Sequence, residues 1–167
     1  MRRIELRPME PEDLDTLYEI ENDIDLWSVG YTTVPYSRYL LRDYIAHSTC
    51  DIFADRQVRL MAENEQGETV GIVDISNYEP LHNRAELGVV IHKKYRHQGY
   101  GKLMVTMALD YGRRIVHLHQ IYAVIDPRNK WSVEMFQSLG FTPSHTLQDW
   151  LYDGKNYAPA LFMQLFL

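Results

Sequence analysis

Cysteine is nearly missing from this chain: Cys50 is the one instance in 167 residues. A disulfide framework and a thiolate metal site are thereby excluded. A lone cysteine reads as a small buried residue rather than as a nucleophile. No run of about 18 uninterrupted apolar residues occurs, so no membrane span is expected. The opening Met1-Arg2-Arg3-Ile4-Glu5 holds no apolar signal-peptide core, which makes the cytoplasm the expected location. Repeats, low-complexity tracts and linkers are also lacking, so one domain is expected across residues 1–167. Positive charge is scarce, with 17 Lys and Arg against 23 Asp and Glu and a net charge of −6. Nucleic acid is therefore not an expected partner, because its phosphates call for clustered cations. Seven histidines are present, but spacings such as His117-x-His119 gather no further ligands, and no metal is expected.

What is present is an ordinary globular composition, 46% apolar and 24% charged. Its patterns give a coarse order of elements. A strand at residues 3–8 is followed by a helix at 11–22 and a second helix at 36–47. Leu14, Leu17, Tyr18 and Ile24 are the expected buried face of the first, and Tyr36, Leu40, Leu41, Tyr44 and Ile45 of the second. Strands follow at 58–63 and 70–77, joined by Asn64-Glu65-Gln66-Gly67, which has the residues of a hairpin turn. A β-branched run at 85–92 is strand-like. A helix to about residue 116 comes next, with Leu103, Met107, Tyr111 and Ile115 as its apolar stripe. A buried strand at 120–125 stops at Asp126-Pro127. A helix at 129–139 ends on Gly140, and two last strands flank Asp153-Gly154. The class is mixed α/β (α+β), with a mainly antiparallel central sheet flanked by helices.

Acidity is concentrated. Glu10, Glu12, Asp13, Asp15, Glu19, Glu21, Asp23 and Asp25 fall within residues 10–25, which contain no Lys or Arg. Two readings stay open: a solvated helix surface, or a field that attracts cationic substrates.

The most informative segment is Tyr95-Arg96-His97-Gln98-Gly99-Tyr100-Gly101-Lys102, set between a strand and a helix. Paired glycines permit tight positive-φ turns and let an anion approach the backbone. The helix behind them directs its free N–H groups and positive dipole end to the same place. Arg96 and Lys102 add charge at either end. A phosphorylated cofactor is the expected ligand.

With these pieces in order, the chain resembles a GCN5-related N-acetyltransferase (GNAT) over nearly its whole length. The resemblance rests on Arg96-His97-Gln98-Gly99-Tyr100-Gly101, on Asn129-Lys130-Trp131-Ser132, and on Phe136 with Leu139-Gly140-Phe141. Asn83-Arg84-Ala85-Glu86 and Met107-Ala108-Leu109-Asp110-Tyr111-Gly112 are similar to the spermidine N-acetyltransferases and to the enzymes that acetylate ribosomal-protein N-termini. The resemblance implies a GNAT acyl-CoA acyltransferase fold and acetyl-CoA as co-substrate, with no metal. It implies that backbone from Arg96 through His97, Gln98, Gly99, Tyr100 and Gly101 to Lys102 holds the pyrophosphate. Backbone groups of Val89, Val90 and Ile91 would bond the pantetheine arm where neighbouring strands splay, and one N–H there would polarise the thioester carbonyl. Asn129 would contact the arm; it is also a preferred helix N-cap residue, and both roles can hold together. Ser132 and Phe136 would line the end of the arm. Glu86 would act as general base, or grip the acceptor ammonium, or form a surface salt bridge with Arg84 or another basic residue.

Two departures matter. Many members of the family carry a Tyr where this chain has Phe136, so the usual proton donor to the leaving thiolate is missing. The alternatives are water, Ser132 or one of the twelve tyrosines, Tyr122, Tyr152 and Tyr157 among them; or the acid is dispensable, because a thiol of pKa about 8.5 leaves readily. Acidic residues tend to precede a Pro-Tyr pair in the spermidine branch, whereas Thr33-Val34 precede Pro35-Tyr36 here. The resemblance thus implies acetyl transfer to a small cationic amine such as spermidine by direct attack in a ternary complex. Acetylation of protein N-termini and a catalytically silent CoA-binding module remain as alternatives. Related spermidine enzymes can form large rings, and a homo-oligomer is an expectation that the chain itself leaves open.

Overall fold

Apolar residues at every second position build the sheet of the computed structural model, which describes residues 2–27 and 34–167. Its strands are β1 (Ile4–Arg7), β2 (Val58–Asn64), β3 (Thr69–Glu79), β4 (Arg84–Ile91), β5 (Gln120–Ile125), β6 (Thr142–Tyr152) and β7 (Tyr157–Phe166). They lie in the order β1-β2-β3-β4-β5-β7-β6. Neighbours are antiparallel except β4 and β5, which are parallel. The mixed, mainly antiparallel sheet expected from the sequence is present.

Helices cover both faces. On one lie α1 (Leu14–Glu21), entered through a 3-10 turn at Pro11–Asp13, and α3 (Arg38–His47). Leu17, Ile20 and Leu41 from these helices bury Met61 and Ile72 of the sheet. On the other lie α5 (Tyr100–Tyr111), which widens into a π turn at Gly112–Val116, and α6 (Lys130–Ser138). Met104, Val105, Ala108 and Phe136 pack there against Val73, Leu87 and Ile121. Two one-turn helices, α2 (Ile24–Trp27) and α4 (Ile52–Asp55), escape the sequence reading because four residues carry no periodicity. No helix among the described residues is long and apolar enough to cross a membrane.

The strand positions agree closely with expectation, and the helix faces less so. Ile24 is 73% exposed, because the chain breaks at Asn22 and restarts as α2, which loses the phase of α1; Ile20 is buried instead. Leu40 is exposed while Leu41 is buried. Ile115 is 59% exposed. A strict four-residue spacing drifts about 40° per step on a helix of 3.6 residues per turn. The buried face of α5 therefore centres on Met104, Val105, Ala108 and Leu109, with Leu103, Met107 and Tyr111 at its margin. The departure at Thr33-Val34 concerns Thr33, which lies outside the described residues.

Candidate active site

The parallel pair β4 and β5 is joined only where residues 84–86 lie beside 120–122. Beyond that, β4 stays bonded to β3 through Ile91, and β5 stays bonded to β7 through Ile125. The two strands part between these outer neighbours. The amide of His92 donates to the Val70 carbonyl at 2.9 Å. Because bonding residues alternate along an antiparallel ladder, Glu86, Gly88 and Val90 turn their main-chain groups toward β3. Leu87, Val89 and Ile91 turn theirs toward the gap. Val90, expected among the backbone ligands, faces β3 instead, and Leu87 closes the last joined pair with β5 through its amide, so that its carbonyl is the group turned to the gap. The Ile91 carbonyl already accepts from Arg96 Nε at 3.2 Å.

The glycine loop closes the far end of this gap. Gly99 caps α5 with φ 86°, a left-handed conformation. His97 is left-handed as well, at φ 60°. Gly101 lies in the first turn of α5, where an added Cβ would come within 2.9 Å of Met135 Sδ and 3.2 Å of Ile91 Cδ1. Its missing side chain lets α5, α6 and the end of β4 converge. Unpaired N–H groups at the start of α5 face this convergence, with the positive end of the helix dipole. The arrangement fits a bound anion.

The loop cations are disposed differently from expectation. Arg96 Nη2 is bound to Asp23 at 2.7 Å, so its charge turns toward α1 and away from the loop amides. His92 meets Glu19 at 3.2 Å, Lys93 meets Asp25 at 3.4 Å, and Lys94 meets Glu68 at 3.0 Å. Lys102 is exposed and carries no ion pair among the described residues. The same contacts revise the acidic run. Asp13 pairs with Arg7, Asp15 with Arg38 and Glu21 with Arg59, besides the three already named. Most of these acids tie α1 and α2 to the sheet and to the glycine loop, and they are neither simply solvated nor an open field. A pocket of about 280 Å³ lies between the two, lined by Glu19, Asp23, His92, Lys93 and Arg96.

On α6, Asn129 is an N-cap whose side-chain oxygen accepts from the Ser132 amide at 3.2 Å. Trp131 is exposed and meets His97 edge to face, with ring centroids 5.3 Å apart. Gln98 is held by a bond from Nε2 to the Lys94 carbonyl at 3.0 Å, and Tyr100 packs edge-on to Tyr95. Phe136 is 2% exposed and packed edge-on against Phe141, so its ring belongs to the core and does not line an open gap.

Glu86 stands at the last joined pair, opposite Ser76 on one side and Tyr122 on the other. Its carboxylate does not pair with Arg84; Oε2 accepts from Asn77 Nδ2 at 2.8 Å. Tyr122 stacks on Phe162 with centroids 4.8 Å apart, whereas Tyr152 and Tyr157 meet each other at a tilt of 37° in the β6–β7 hairpin. Of the three tyrosines, Tyr122 alone is a register neighbour of Glu86. Sequence reasoning missed Asn77, and it missed the pairing of Asp23 with Arg96. Asn77 could have been noticed as an Asn near the end of a strand; Asp23 stood out as one of an acidic run, with nothing local to name its partner.

The pattern of the acetyltransferase (GNAT) domain family matches residues 3–142. The spermidine N(1)-acetyltransferase of Escherichia coli K12 is 26% identical over 165 residues, covering 98% of this chain and 86% of that one. That of Vibrio cholerae is 23% identical over 154 residues, covering 92% and 87%. The crystal structure of the Vibrio cholerae spermidine N-acetyltransferase with CoA and spermine superposes with a TM-score of 0.87 at 24% identity, covering 98% of this chain and 95% of that one. Another structure of that enzyme, at TM-score 0.81, is dodecameric. Acetyltransferases of the GNAT type use acetyl-CoA as co-substrate, and a strand gap ending in a glycine-cleared helix terminus suits an extended arm with a diphosphate. By fold and by sequence pattern together, the chain belongs to the GNAT acetyltransferase family and is an acyltransferase.

Proposed function

We propose that this enzyme acetylates a primary amine of a polyamine, spermidine being the first candidate. The observation that carries the reading is the position of Glu86: a carboxylate at the point where β4 and β5 part, on the sheet face that α1 and α3 cover. Likeness over nearly the whole chain to spermidine acetyltransferases supports the polyamine class.

Acetyl-CoA supplies an activated acetyl thioester. The amides at the start of α5, with Lys102, hold the diphosphate, and Leu87, Val89 and Ile91 offer ladder groups to the arm. Asn129 and Ser132 flank it from α6. An N–H on the β4 side of the gap donates to the carbonyl under attack. The acceptor arrives as an ammonium of pKa about 10.4, and removing its proton at neutral pH costs roughly 5 kcal/mol. Glu86 first pairs with that ammonium and then takes its proton, directly or through one water. Phe136 has no proton to give. The leaving thiol has a pKa of about 8.5, so the thiolate departs without a dedicated acid.

Two broader features accompany this reading. Strand β6 is a sheet edge with Trp150 and Tyr152 exposed, which supports assembly into a homo-oligomer. The lone Cys50, without a disulfide partner, supports a cytoplasmic setting.

The test is turnover with acetyl-CoA and a panel of polyamines, monoamines and N-terminal peptides, followed through released thiol. Turnover confined to polyamines is expected. Turnover with peptides alone would transfer the assignment to protein N-termini. The buried Phe136 favours one further reading, a silent CoA-binding module, which would show CoA affinity by calorimetry and no thiol release with any amine.

A further inference from the structure

We propose that Asn77 is a positioning residue: a bulge in β3 turns it out of the core so that its carboxamide holds Glu86 in place. The inference rests on the role assigned to Glu86 above.

Register locates the bulge. Ser76 lies opposite Glu86, and Glu79 lies opposite Arg84. Two residues of β3, Asn77 and Tyr78, therefore face the single residue Ala85. In an unbroken strand the core phase set by Val73 and Ile75 would pass to residue 77. Here it passes to Tyr78, which is 5% exposed and belongs to the same buried cluster as Val73 and Ile75, while Asn77 is exposed. Tyr78 is fixed by its amide, which donates to the Arg56 carbonyl at 3.0 Å, and by an edge-on contact of its ring with Phe53. Asn77 takes up the extra length with φ 50°. Asn tolerates this left-handed region better than a branched residue does. Bulges beside active sites commonly re-aim one side chain in this way.

The consequence for Glu86 is chemical. Asn77 Nδ2 donates to Oε2 at 2.8 Å, which anchors one carboxylate oxygen and leaves Oε1 to meet the acceptor. A Glu side chain without such a tether samples several rotamers, and fixing one in advance shortens the search for a reactive geometry. A carboxamide donor also carries no charge. An arginine in the same place would neutralise the carboxylate, whereas Asn77 orients it and leaves its full charge for an ammonium.

Asn77→Gly tests this, because glycine keeps the left-handed backbone and removes only the amide. The expected result is a fall of about tenfold in kcat, with KM for acetyl-CoA and the melting temperature unchanged. Asn77→Asp keeps the shape but sets a second carboxylate against Glu86, and it is expected to lose more than Asn77→Gly. Adding Asn77→Gly to Glu86→Gln should cost little beyond Glu86→Gln alone, since the two residues act as one unit. Wild-type kcat in Asn77→Gly or Asn77→Asp, with Glu86→Gln impaired, would reduce Asn77 to a turn residue. Losses that simply multiply would place it outside the action of Glu86. Wild-type turnover in Glu86→Gln would remove the role of Glu86 and this proposal with it.

Discussion

Gly99 and Gly101 stand two positions apart for different physical reasons. At Gly99 an added Cβ would meet nothing within 4 Å, so only the backbone at φ 86° demands glycine. Gly99→Ala is expected to cost about 1 kcal/mol of stability and to raise KM for acetyl-CoA with kcat retained, as melting curves and steady-state kinetics would register. At Gly101 the constraint is room, since Met135 Sδ and Ile91 Cδ1 stand at 2.9 and 3.2 Å from the added atom. Glu86→Gln keeps the shape of the acid and removes its charge. Its kcat is expected to fall by about a hundredfold while calorimetric CoA affinity stays at the wild-type value. An unchanged kcat would dismiss Glu86 as base, and an unchanged KM for the amine beside it would dismiss Glu86 as ammonium anchor. Legibility at this scale followed distance along the chain. The glycine loop and the Asn129 cap are local and were readable. The partner of Arg96 is Asp23, 73 residues away, and no local pattern announces such a pair.

At the scale of elements, the acidic helix shows how a charge run acquires meaning only in three dimensions. Arg7 of β1 binds Asp13 through both terminal nitrogens, at 2.7 and 2.9 Å, and reaches Glu63 of β2 at 2.6 Å. Asp13 also accepts from the Glu10 amide at 2.8 Å, closing a capping box at the helix start. Burial by itself pushes the Asp13 carboxyl upward, but the Arg7 hydrogen bonds, the Glu10 amide and the Arg7 charge together hold it below its ordinary value. A carboxyl lowered in the folded state stabilises fully above its unfolded value of about 3.9, and it loses that contribution as pH falls through the folded value. Asp13→Asn is therefore expected to be about 2 kcal/mol less stable near neutral pH, with the gap to wild type narrowing below about pH 4 in melting experiments. A constant gap across pH would refute the linkage. The helix itself was visible in the sequence; its attachment to β1 and to the glycine loop was not, because Arg7, Arg59 and Arg96 lie in separate elements.

For the whole molecule, strand order decides what remains uncovered. Among the described residues, strand β6 bonds only to β7, and of its own residues Leu147 and Leu151 alone are partly buried. Such an edge, with Trp150 and Tyr152 outward, offers free ladder groups to another chain. Sedimentation is expected to give a species heavier than the 19.7 kDa chain, and Trp150→Ser with Tyr152→Ser is expected to lighten it. A monomer at working concentrations would end that reading. The alternation of β2 to β5 made most of the sheet predictable. The edge position of β6 was not, since order across a sheet is set by which pairs bury the most surface and not by order in the chain.

The parting of β4 from β5 carries a last consequence. Each lip is braced by its outer neighbour, β3 on one side and β7 on the other, so the slot is built into the sheet itself. A guest lying there completes an interrupted ladder without first ordering any loop. Its fit depends on peptide spacing more than on side-chain identity. A recess of this kind belongs to the architecture, and it asks of the residues along it only that each make a strand.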